Sequence, residues 1–62
     1  MDLDSAALSS IATALDDITT RIGDIAGRYE GTPRADVASD LYDVERALRT
    51  AVRQLAKVRS AL

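Results

Sequence analysis

The sequence predicts an all-α protein, an antiparallel helical hairpin of two long amphipathic helices that dimerises into a four-helix bundle. Three observations carry that expectation: two unbroken heptad stripes of apolar residues, one Gly-Thr-Pro break between them, and small or apolar residues flanking both stripes. Only one 62-residue domain is expected, with helix one over about 4–30, a turn at about 31–32 and helix two over about 33–61.

Helix one is read from Leu8, Ile11, Leu15, Ile18, Ile22, Ile25 and Tyr29, spaced alternately three and four apart. That spacing keeps every member on one side of a helix of 3.6 residues per turn. With Leu8 at heptad position a, the stripe alternates between a and d. Asp2, Asp4 and Ser5 are each chemically suited to cap its start.

The break is Glu30-Gly31-Thr32-Pro33-Arg34. Gly31 suits the left-handed conformation that ends a helix, since it has no Cβ to clash. Thr32 then fits a cap for helix two, with Pro33 at the first helical position, where its missing N–H breaks no hydrogen bond. So short a connection favours antiparallel neighbours.

Helix two is read from Val37, Leu41, Val44, Leu48, Ala51, Leu55, Val58 and Leu62, with the leucines at a and the others at d. Folding at the turn lays Tyr29 against Val37, Ile25 against Leu41, Ile22 against Val44, Ile18 against Leu48, and so on to Leu8 against Val58. Each layer sets an a residue against a d residue. Leu62 overhangs towards Leu3 or Asp4.

A two-helix coil in water usually carries Glu and Lys at e and g. Here those positions include Ala7, Ala12, Ala14, Thr19, Ala26, Ala38, Ala47, Val52, Gln54 and Ala61. The stripe is therefore broad enough for a bundle core. The expected oligomer core is Leu8, Ile11, Leu15, Ile18, Ile22, Ile25, Leu41, Val44, Leu48, Val52, Leu55 and Val58, and the expected partner is a second copy. A heterologous protein partner is the other possibility.

Composition narrows the chemistry. Cys and His are both absent, so the chain has no disulfide, thiol nucleophile, imidazole base or Cys/His zinc site. No nucleophile–base pair or phosphate-binding loop is recognisable, and no enzyme activity, cofactor or metal is expected. A net charge of −2 argues against nucleic-acid wrapping. The acidic start Met-Asp-Leu-Asp is unlike a secretory signal, no apolar run approaches a membrane span, and a cytoplasmic location is expected.

Charge is nonetheless patterned. Asp36, Asp40, Asp43 and Glu45 precede Arg46, Arg49, Arg53, Lys57 and Arg59 along helix two, complementing its dipole. Tyr42, Arg46, Arg49, Arg53 and Lys57 form the possible partner surface, with Tyr42 as the preferred anchor because it is expected to lie exposed at b. A regulatory accessory role, binding a protein or less favourably nucleic acid through the basic end, is the alternative. Asp36, Asp40 and Asp43 read as helix-start electrostatics rather than a metal cluster. Gly23 and Gly27, at b and f, either admit a partner backbone or loosen the end of helix one.

Overall fold

The computed structural model describes residues 2–62, as α1 (Asp2–Tyr29) and α2 (Ala35–Ala61) folded back on each other. Met1 and the Asp2 side chain lie outside the described residues, and with them the expectation that Asp2 caps α1. The hairpin is a slender rod with Cα extents of 50 × 14 × 9 Å. No helix is long and apolar enough among the described residues to cross a membrane.

α1 begins earlier than the sequence suggests, so Asp4 and Ser5 lie within its first turns rather than capping it. The turn is also longer, spanning residues 30–34, and α2 starts at Ala35 instead of Pro33. Gly31 takes the left-handed conformation, with φ of 72°. The Thr32 N–H donates to the Tyr29 carbonyl at 3.2 Å, and the Thr32 hydroxyl donates to that same carbonyl, closing the end of α1. The hydroxyl oxygen also accepts from the Arg34 N–H at 3.2 Å. Thr32 thus ties the end of α1 to the turn but does not cap α2, because a tight turn, with the Ala35 N–H donating to the Thr32 carbonyl at 3.1 Å, intervenes. Pro33 occupies that turn, consistent with its fixed φ and missing donor. Arg34, not Thr32, is the N-cap residue.

The antiparallel alignment follows the expected one closely. Arg59 reaches Ser9, and the Glu45 carboxylate lies over Gly23. Each contact is one residue along from an expected layer, Leu8 with Val58 and Ile22 with Val44.

The rotation of the helices differs. The most enclosed residues are Ala12, Thr19, Ala26 and Ala38, all at e. The a residues Leu8, Leu15, Ile22, Leu41, Leu48 and Leu55 are half-buried beside them. Four of the d residues turn outward, Ile11 being 49% exposed, Ile18 43%, Val44 43% and Val58 44%, whereas Ile25 and Val37 near the turn stay half-buried. Alanine explains the shift, because a methyl side chain lets the two backbones approach more closely than a branched Ile or Val would. Thr19 joins the small residues without an unmet polar group, since its hydroxyl donates to the Leu15 carbonyl at 2.6 Å. Leu3 and Leu62 are 83% and 59% exposed, so the overhang does not close the free end.

Candidate interaction surfaces

Rotation of the seam towards e gives the hairpin two unlike faces. In antiparallel helices that meet along e, both d rows fall on the same side of the pair. One face therefore presents Ile11 and Ile18 beside Val44 and Val58, bordered by the exposed g residues Ala7, Ala14, Ala47 and Ala61. The half-buried a residues line its floor between the two d rows. Among the described residues no large side chain is fully enclosed by the hairpin. Such a contiguous apolar strip is unusual on a protein that works as a single copy. The expected oligomer-core residues thus divide: Ile11, Ile18, Val44 and Val58 look outward, while Ile22, Ile25 and Val52 are half-buried with the leucines.

The opposite face is polar. It carries Tyr42, Arg46, Arg49 and Arg53, but most of these are engaged within the chain. Tyr42 is half-buried and donates its phenolic hydrogen to the Glu30 carboxylate, bridging the turn. This corrects the expectation of an exposed Tyr42, whereas Tyr29, at the end of the first stripe, is 39% exposed. The reason is again rotation, which draws b residues towards the seam.

Arg46 pairs with Asp43 at 2.9 Å, and Arg49 with Glu45 at 3.3 Å. Arg53 donates to the Thr50 hydroxyl at 3.2 Å, and Arg59 crosses to the Ser9 hydroxyl at 3.3 Å. Lys57 stands apart on a shallow, open depression with Ala56, Ser60 and Ala61, near the free end of α2. Tyr42, Arg46, Arg49 and Arg53 thus share the polar face of α2, with Lys57 further along towards its free end.

Of the early acids of α2, Asp36 is held by both donors of an Arg34 fork, at 3.1 and 3.2 Å. That hydrogen bonding lowers the Asp36 carboxyl below its ordinary range. Asp43 is taken by Arg46. Among the described residues no group of three acids is placed to hold a metal ion.

Two contacts were not legible beforehand. Glu30 and Tyr42 were separate surface residues in the sequence, yet the turn brings them together. Gly23 was an unexplained outer-face glycine, yet a Cβ there would run into the Glu45 carboxylate. Gly27 faces open space. Gly27→Ala should therefore stabilise the fold by about 1 kcal/mol through helix propensity. The corresponding rise in Tm, about 4–8 °C for a chain of this size, is measurable by circular dichroism. Gly23→Ala should yield less, because Glu45 must move.

The hydrogen bond to Glu30, followed by partial burial, holds the Tyr42 phenol above its ordinary value of 10.0. A raised folded-state value means that the folded chain keeps this proton longer than the unfolded chain. The associated stability is complete below pH 10.0 and is lost as pH rises through the higher folded value. In a Tyr29→Phe background, the ultraviolet titration of Tyr42 should have its midpoint above 10.0, and Glu30→Gln should bring it back towards that value.

Fold and surface together define an antiparallel two-helix hairpin with one apolar and one polar face. Comparison with protein-family models, curated proteins and solved structures returns no match.

Proposed function

We propose that this chain is a small, non-enzymatic interaction or structural module whose working form is a homodimeric four-helix bundle. The observation that carries the reading is the unpartnered d face, together with the absence of any large, fully enclosed side chain among the described residues.

Surface area gives the same sense. One hairpin exposes 4545 Å², against about 3,900 Å² for a compact protein of its mass. Bringing two hairpins to the surface of a compact protein of twice that mass would bury about 2,700 Å² in total. This falls within the range of obligate homodimers, about 2,000–5,000 Å².

Analytical ultracentrifugation at low micromolar concentration tests the proposal. The expected species is a dimer. A folded single copy with high helix content would overturn it.

A second reading rests on Arg53 and Lys57, which carry no acidic partner among the described residues. Near the free end of α2 they would meet an acidic protein surface, making the chain a regulatory accessory. Binding of that kind weakens with salt. Arg53→Glu combined with Lys57→Glu should abolish it while leaving the dimer intact. Binding to a DNA duplex at low salt would instead redirect this reading to nucleic acid.

A further inference from the structure

We propose that the two hairpins dock with their turns at the same end, so that α1 of each copy lies along α2 of the other. This rests on the homodimer reading and adds to it a partner orientation.

Two face-to-face arrangements satisfy two-fold symmetry. With the turns together, α1 faces the partner's α2. With the turns at opposite ends, α1 faces the partner's α1, and the two α2 helices face each other. The intrachain contacts Ser9 to Arg59 and Gly23 to Glu45 fix the axial heights of all residues. On that scale Ile11, Ile18 and Ile25 stand level with Val58, Ala51 and Val44, to within one residue.

The turns-together arrangement therefore sets Ile11 against the partner's Val58, Ile18 against the partner's Ala51, and the open edge of half-buried Ile25 against the partner's Val44. Every large residue meets a smaller one, and the gap between the hairpins is even along its length. With the turns apart, Ile18 meets the partner's Ile18 on one side while Ala51 meets the partner's Ala51 on the other. Isoleucine then crowds one pair of helices, and alanine and valine leave the other pair underfilled. Interiors tolerate neither overpacking nor voids.

The borders favour the same choice. Ala7, Ala14, Arg21 and Arg28 occupy the g row of α1, while Asp40, Ala47, Gln54 and Ala61 occupy that of α2. With the turns together, Arg28 stands level with the partner's Asp40, and Arg21 with the partner's Ala47. Neither Arg28 nor Asp40 has an ion-pair partner among the described residues of its own chain. With the turns apart, both would face alanine. A rim ion pair adds little affinity, but it discriminates between registers.

The chain has no cysteine, so one introduced thiol reports cleanly on orientation. Ala35→Cys, at an exposed position beside the turn, carries a nitroxide label, and electron-spin distances are measured alongside dimer mass and helix content. Turns-together docking places the labels under about 30 Å apart, given helix separations of 8–10 Å. A separation of about 50 Å or more in a dimeric species would overturn this orientation and leave the homodimer standing, since the labels would then be some 32 helical residues apart. A single-copy mass would overturn both.

As a label-free check, Arg28→Asp should weaken the dimer roughly 3- to 10-fold, consistent with losing two rim pairs and gaining two repulsions. Asp40→Arg in the same chain should restore it. Unchanged affinity in Arg28→Asp would count against the orientation.

Discussion

Ile18→Asp is expected to reduce the protein from a dimer to a single copy across the low micromolar range. Ile18 is 43% exposed on the d face, so the hairpin seam loses less when this side chain changes than when a half-buried leucine does. In the dimer the same side chain is covered, and its remaining apolar surface is worth about 2 kcal/mol at roughly 25 cal/mol per Å². Two-fold symmetry repeats the loss, giving about 4 kcal/mol and roughly a thousandfold in dissociation constant. An aspartate at that position must also shed its hydration to enter the interface, which adds to the effect. Sedimentation velocity reads the mass and circular dichroism the helix content. A helical Ile18→Asp variant that keeps the dimer mass would show that the d face is not the seam. Leu48→Asp is less selective, because half-buried Leu48 also lines the contact between α1 and α2.

Ala26→Leu should act on the other seam. Ala26 is 0% exposed, set where α1 and α2 approach near the turn. A leucine has no space there and must push the helices apart, with a cost of about 1–3 kcal/mol. For a chain of this size each kcal/mol lowers Tm by about 4–8 °C, so thermal melting should shift clearly downward. The equivalent enlargement at Ala47, exposed at g, should leave Tm nearly unchanged within a single hairpin. A rise in Tm for Ala26→Leu would refute close packing along the e row. The two variants together separate the contact that makes the hairpin from the contact that pairs two of them.

Acid acts differently from alkali on the outlying polar pairs. The Arg34 fork lowers the Asp36 carboxyl, so its contribution is present above the ordinary value of 3.8 and is lost as pH falls through the lower folded value. Tyr42 behaves in the opposite sense. Both groups lie towards the turn end of the hairpin.

Much of the architecture was legible from local chemistry. Alternating steps of three and four placed Leu8 through Tyr29 and Val37 through Leu62 on two helical stripes, and Gly31 marked the left-handed end of the first. The axial alignment followed from the length of the turn. The faces were less legible, because the heptad pattern treats a and d alike. Nothing within either helix alone says whether the seam should tilt towards d or towards e. The surface residues were harder still: Arg46 and Arg49 have local acids in reach, but the Tyr42–Glu30 bond needs a chain reversal to exist.

What this sequence determined alone was the pair of helices, their reversal and a broad apolar stripe, because helical periodicity and turn chemistry act over a few neighbouring residues. Tertiary structure decided which part of that stripe is consumed within one chain. The alanines at e allow a closer backbone approach than the branched residues at d, a property of two helices in contact that neither possesses by itself. The closer contact encloses Ala12, Ala26 and Ala38 and leaves Ile11, Ile18, Val44 and Val58 facing outward.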